Sequence, residues 1–244
     1  MGKRTTKKTK RTPPLSAERL RSGWSGPAGT RIHLARPGDA AAADALMTTT
    51  GDEVRIIPVL REAIENGTAG SAILAGLGAG AEKFHNAAAR SFSEHGLGGE
   101  ALSTVCLVLV ATDEHDQAVG VLTATAPGTL IQMATTNGYT PQKATALSVF
   151  VAKLHGIAVA EHARRQGIAA AMLKRAWQVY QQLGYFLLYG SYEADRDHLR
   201  AFYTRCGYTV YAPGEGFSLE RIALPFGLHA GPGECMFTRW RPNH

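Results

Sequence analysis

Arg164, Arg165 and Gly167 stand where two sequence patterns meet. Before them, residues 154–160 read Leu-His-Gly-Ile-Ala-Val-Ala, an apolar run of strand length. After them, Ile168, Met172, Ala176, Tyr180 and Leu183 recur at spacings of three and four, the period of an amphipathic helix. A strand that enters a helix through a short loop aims several free backbone N–H groups at one point. The helix dipole and two guanidinium groups add positive potential there, so the junction suits a phosphate. Gly167 has no Cβ, which lets a ligand approach the main chain, and Ala169 keeps a nearby position small. Other Gly-rich loops fit less well. Ala169, Ala170 and Ala171 fill the places where a dinucleotide fingerprint needs glycine, and no Gly-Lys-Ser/Thr run follows.

This stretch resembles the fingerprint of the GNAT superfamily of acyl-CoA-dependent N-acetyltransferases, Arg/Gln-x-x-Gly-x-Gly/Ala after a strand ending in valine. Here it reads Arg164-x-x-Gly167-x-Ala169, with Val159 five residues before Arg164. The run Ala201-Phe202-Tyr203-x-x-x-Gly207-Tyr208 is similar to the family's Phe-Tyr-x-x-x-Gly-Phe segment, and Gly120 matches a glycine of the preceding strand. The resemblance spans roughly residues 31 to 210. It implies a mixed, mainly antiparallel α/β sheet flanked by helices, with the cofactor between two splayed strands. It implies acetyl-CoA as co-substrate, held by the backbone of Ile157, Ala158 and Val159 along its pantetheine. The loop of Arg164, Arg165, Gln166, Gly167, Ile168 and Ala169 would hold its pyrophosphate. The strand is expected to splay through a bulge that Gly156 accommodates.

Acyl transfer to an amine then needs a base and an acid. An ammonium of pKa ~10.4 costs on the order of 4–5 kcal/mol to deprotonate at neutral pH. Glu193, at the end of the strand 185–192, and His155, four residues ahead of Val159, are the candidates for the base. The resemblance implies that Tyr203 protonates the leaving thiolate; its phenol (pKa ~10) matches a thiol near ~8.5. Two family positions differ: Glu161 stands where many relatives have proline, and Arg196 where many have asparagine.

These residues need elements to hold them. Residues 31–35 alternate as a strand, and Asp39 is placed to cap a helix from Ala40 to Met47. Asp52 is placed to cap a second helix carrying Val54, Ile57, Leu60 and Ile64. Residues 103–112 and 118–126 form a hairpin about the polar turn 113–117. Asp195 or Asp197 caps a helix with Leu199, Phe202 and Tyr203 on its apolar face. Three stretches exceed the family's usual domain, about 68–96, 127–145 and 213–233. The first reads as helical, either covering the acceptor site or elaborating the packing, with His85 and His95 at the surface. The second reads as a partly helical loop near the mouth of the site.

Composition limits the rest. The 244 residues carry net charge +6 and are 45% hydrophobic, enough for one domain with additions. Lys3, Arg4, Lys7, Lys8, Lys10 and Arg11 account for that whole charge, so residues 14–244 are neutral on balance. Residues 1–29 therefore read as a disordered basic tail, either solubilising or an RNA or other nucleic-acid anchor. Residues 30–244 read as a single catalytic domain. Three cysteines without paired spacing argue for a reducing, cytoplasmic setting and against a disulfide framework or zinc site, and no metal is expected. No run approaches ~18 apolar residues, so no membrane span is expected. The expected partners are an amine acceptor, nucleic acid at the tail, and a second copy in a homodimer. The reading that results is an N-acetyltransferase acting on a small-molecule or protein amine. The alternatives are an acyltransferase working on or from aminoacyl-tRNA, and a non-catalytic GNAT-shaped regulator.

Overall fold

The computed structural model describes residues 14–51 and 54–242. The basic residues at positions 3–11 and the expected cap Asp52 lie outside the described residues. The second half of the expected tail is not disordered. Residues 14–29 carry the short helix α1 (Ala17–Ser22) and the strand β1 (Trp24–Ser25). Leu20 and Trp24 are buried in the main core, which the low apolar content of this stretch concealed. Gln182 latches the segment down, accepting from the Leu15 N–H and donating to the Leu15 carbonyl, both at 2.8 Å.

The chain then runs β2 (Arg31–Leu34), α2 (Ala40–Thr48), α3 (Pro58–Glu65), α4 (Ser71–Ala79), α5 (Ala81–His95) and α6 (Gly99–Ser103). A hairpin follows, β3 (Leu107–Thr112) and β4 (Ala118–Thr125), then the helices α7 (Gly128–Thr136) and α8 (Pro141–Thr145). The strand β5 (Val151–Val159) leads to α9 (Ile168–Gln182), β6 (Leu187–Glu193) and α10 (Asp197–Arg205). The last elements are β7 (Thr209–Val210), the small hairpin β8 (Gly216–Ser218) and β9 (Gly227–His229), and β10 (Glu234–Trp240). Eight strands form one sheet in the order β1-β2-β3-β4-β5-β6-β10-β7. Every neighbouring pair is antiparallel except β5 with β6, which run parallel.

Alternation along the strands sorts side chains to two faces. Leu107, Leu109 and Ala111 point to one, where α1, α4, α5 and α9 bury their apolar sides. Val108 and Val110 point to the other, under α2 and α3. A third cluster, with Val151, Leu187, Tyr189 and Met236, lies beneath α7 and the 213–233 excursion. Residues 68–96 thus pack into the main core as α4 and α5. His85 is not a plain surface residue: its Nε2 is buried and its ring lies between Phe84 and Phe150. Asp39 is not a side-chain cap for α2 either; its carboxylate accepts from the Arg36 N–H at 2.7 Å and closes the preceding turn. The cap residue of α10 is Arg196, with Asp197 in the first turn.

Two glycines let the site's elements come close. Gly120 on β4 lies under α9, where an added Cβ would sit 3.0 Å from Met172 Cε and 3.2 Å from Ile168 Cγ2. Replacing Gly120 with Val is expected to push α9 off the sheet and cost about 1–3 kcal/mol, read as a lower urea midpoint at unchanged slope. Gly156 on β5 faces α2, where a Cβ would collide with Met47 Cε.

Candidate active site

The strands β5 and β6 pair only at their first residues, Val151 with Leu187, Ala152 with Leu188 and Lys153 with Tyr189. Gly190 marks the last close approach: a Cβ there would lie 2.9 Å from the Leu154 carbonyl oxygen. Beyond it, 154–159 and 190–193 form no pairs and a wedge opens between them. The cause lies on the other edge of β5. Thr123 faces Gly156, yet Ala124 faces Leu154, so His155 is an extra residue bulged out of the ladder. The core confirms the slip. Before His155, Val151 points to the α7 side and Ala152 and Leu154 to the α9 side. After it, Gly156 and Ala158 point to the α2 side, and Ile157 and Val159 pack towards α9.

The residues expected to line the cofactor divide along this strand. Ala160 donates its N–H to the Val119 carbonyl on β4. In an antiparallel ladder both main-chain groups of a residue point the same way and neighbours alternate. Ala158 therefore turns its N–H and C=O to β4, whereas Ile157 and Val159 present theirs to the wedge. Of the three expected residues, Ile157 offers both main-chain groups, Val159 only its N–H because Arg164 takes its carbonyl, and Ala158 offers none.

Residues 164–167 are exposed at the mouth of that wedge. Arg165 and Gly167 have positive φ, +63° and +83°, the left-handed positions from which backbone nests are built. Gly167 is also the cap residue of α9. The first main-chain bond of that helix runs from Ala171 to the Gly167 carbonyl. Among the described residues, nothing accepts from the N–H groups of 165–170, so a row of donors meets the positive end of a 15-residue helix. Arg164 folds back, its Nε donating to the Val159 carbonyl at 3.1 Å, and ties the loop to the strand end. Gln166 donates to the His162 carbonyl at 3.2 Å. Ile168 is buried against the sheet and Ala169 is half-buried.

The acid and base candidates lie in unlike surroundings. Tyr203 is 5% exposed, its ring stacked 3.8 Å from that of Phe237, with Tyr192 and Tyr208 around it. Burial, reinforced by those neighbours, raises its pKa above the ordinary phenol value. The hydroxyls of Tyr189 and Tyr208 are sealed in without a partner; that of Tyr203 is neither bonded to a described residue nor sealed. Glu193 is exposed and holds Arg196 at 2.7 Å, away from the bulge. Tyr192, the neighbour of Glu193 in β6, stacks on Tyr203, while the Glu193 carboxylate itself is taken by Arg196.

His155 sits at the apex of the wedge. Its Nε2 donates to the Arg55 carbonyl at 3.0 Å, which leaves Nδ1 as the free lone pair of the neutral ring. Burial lowers its pKa below the ordinary 6.5, only partly opposed by the bond to Arg55. A cavity of about 200 Å³ opens beside it. The walls are Ile56, Ile57 and Leu60 at α3, Leu102 on α6, and Thr123 with Ala126 at the end of β4. Cys106 also faces it, with a thiol that burial pushes up to about 11, so it stays protonated and is no nucleophile.

Residues 104–210 match the family model described as an acetyltransferase (GNAT) domain. Over that segment the chain is similar to GNAT acetyltransferases. The segment runs from just before β3 to β7, so it contains the hairpin, the bulged strand, the exposed loop and α10. The sheet is mixed and mainly antiparallel, as the resemblance implied. Solved structures similar to the chain include a GNAT-family acetyltransferase from Streptococcus pneumoniae, at 12% identity and TM-score 0.48, covering 87% of this chain and 99% of that one. Another is a ribosomal-protein-alanine N-acetyltransferase from Brucella melitensis, at 16% identity and TM-score 0.46, covering 86% and 99%. A third is Ard1 from Thermoplasma volcanium, at 13% identity and TM-score 0.47, covering 87% and 98%. Among curated proteins, no significant sequence match is found. No helix of the described residues is long and apolar enough to cross a membrane.

Proposed function

We propose that this GNAT domain transfers an acetyl group from acetyl-CoA to a primary amine by direct attack, without a covalent intermediate on the protein. The observation that carries the reading is the row of unpartnered N–H groups at 165–170, exposed at the head of α9 and beside a wedge with free strand edge. The row suits the diphosphate, and Arg165 adds charge without blocking it. The main chain of Ile157 and the N–H of Val159 suit a pantetheine amide that adds itself as a strand, which directs the thioester to the apex. There His155, with Nδ1 free, takes the proton of the attacking amine. Tyr203, held protonated by burial, returns a proton to the departing thiolate. The carbon–sulfur bond breaks as the carbon–nitrogen bond forms, and coenzyme A leaves as the thiol. Glu193, expected from the sequence as a base, is less suited: it is exposed and paired with Arg196.

The test is release of free thiol from acetyl-CoA in the presence of a panel of primary amines and peptides with free N-termini. Thiol release that depends on an amine, with the acetylated amine found by mass spectrometry, is expected. No heat with acetyl-CoA in calorimetry at millimolar concentration would end the reading.

A further inference from the structure

The cavity beside His155 carries a polar group that nothing in the fold uses. Thr123 is fully buried, and its Oγ1 has no hydrogen-bond partner among the described residues. A buried hydroxyl left unpaired costs about 1–3 kcal/mol, so its retention needs a reason. The same side chain lines the cavity, and its residue stands directly across the ladder from Gly156, next to the bulged His155. Thr123 and His155 both line the space, beside Ser103, Cys106 and Thr125, and the Thr123 hydroxyl and the Nδ1 of His155 have no bond to a described residue. The remaining walls are chiefly aliphatic, from Ile56, Ile57, Val59, Leu60, Leu102 and Ala126. Among the described residues that line it there is no carboxylate.

We infer that this cavity is an acceptor site for a primary amine with an apolar alkyl or arylalkyl body, its nitrogen held between Thr123 and His155. The inference rests on the acetyltransferase reading and goes further by naming the acceptor's class. Its volume, about 200 Å³, has room for one small amine and not for a drug-sized ligand, and a largely apolar wall with a few polar groups is the usual make-up of a small-molecule site. A polyamine or aminoglycoside would bring several ammonium groups into a space with no counter-charge among the described residues. A single amine at the polar end of an apolar body does not. The apolar surroundings favour its neutral form, which is the nucleophile. Thr123 accepts one N–H of the amine through its hydroxyl oxygen, and Nδ1 of His155 takes the proton lost on attack. The specificity wall is built partly by α6, which follows the expected insertion at 68–96 in the chain.

The experiment compares phenethylamine and heptylamine with spermidine and kanamycin at saturating acetyl-CoA, in the full chain and in Thr123→Val and Leu102→Trp. Phenethylamine or heptylamine is expected to exceed spermidine at least about 10-fold in kcat/KM. Thr123→Val is expected to raise the melting temperature, since it removes an unpaired buried hydroxyl, yet to lower kcat/KM for the apolar amine about 10-fold or more. Leu102→Trp fills the cavity and lowers the same constant, while acetyl-CoA affinity by calorimetry stays unchanged in both variants. Direct titration of the wild-type chain with phenethylamine, followed by NMR, does not depend on either variant folding. The inference falls if spermidine or kanamycin is the better substrate, if phenethylamine does not bind while acetyl-CoA does, or if Thr123→Val leaves the amine kinetics unchanged. Failure of the wild-type chain to bind acetyl-CoA would instead remove the acetyltransferase reading underneath it.

Discussion

Replacing Gly167 with Asp is expected to raise the dissociation constant for acetyl-CoA at least about 100-fold, roughly 2.7 kcal/mol, while the fold survives. The position has φ +83°, so any side chain pays for the left-handed conformation. Aspartate tolerates that region better than most residues, and the cost is on the order of 1 kcal/mol. Space is not the obstacle. A Cβ at Gly167 would meet only Pro27, at 3.6 and 3.8 Å, which is ordinary contact. What changes is the field. A carboxylate at the head of α9 accepts from the very N–H groups that a diphosphate would use, and repels that diphosphate as well. Calorimetry gives the affinity, and thermal unfolding shows a fall of only about 2–4 °C per kcal/mol lost for a chain of this size. Gly167→Asn separates the two causes, having a similar shape and no charge; it is expected to retain most of the binding. A folded Gly167→Asp protein with unchanged affinity would show that the diphosphate lies elsewhere.

That prediction was within reach of the sequence, because strand, loop and helix are contiguous there. Residues 164–169 announce themselves by a change of period from strand to helix across a glycine, and the structure leaves 164–167 exposed at that junction. Contiguity also made the hairpin β3–β4 and the helix bearing Tyr203 legible. The cavity was not legible in this way. Its walls come from α3, α6, the end of β4 and the bulge of β5, and no local pattern records that these meet. Thr123 reads in sequence as one more β-branched residue of a strand. Only its depth and its unpaired hydroxyl set it apart.

The bulge itself shows why a strand can hide its chemistry. Residues 146–160 read equally as one long strand or as a helix passing into a strand, and with Lys153, His155 and Gly156 among them they keep no clean alternation. A one-residue slip within a strand exchanges the faces of everything beyond. Here the slip lies at His155, so that both His155 and Gly156 turn towards the α2–α3 connection, where Arg55 and Met47 meet them. The amphipathic helix α1 was hidden differently. Its buried Leu20 and the nearby Trp24 lie in a stretch whose charge and proline content resemble a tail.

His155→Gln is the variant with the largest expected effect on turnover. Glutamine can keep an N–H directed at the Arg55 carbonyl, so the loop before α3 stays attached. It cannot take a proton at neutral pH. The kcat for an amine acceptor is expected to fall about 100-fold or more, within the usual range for loss of a general base, with acetyl-CoA affinity unchanged. The pH profile gives the sharper test. Burial lowers the pKa of His155 below 6.5, so the wild-type ring is neutral and competent from above that value down through it. Activity is then lost only as the pH falls through the lowered pKa, and His155→Gln has no such acid limb. Stability has the same sign: below 6.5 the unfolded chain binds a proton that the folded His155 resists, so acidification destabilises the wild type more than the variant. Glu193→Gln, which removes only an exposed partner of Arg196, is expected to change kcat less than about threefold. If Glu193→Gln abolishes the acid limb and His155→Gln leaves it in place, the base has been assigned to the wrong strand.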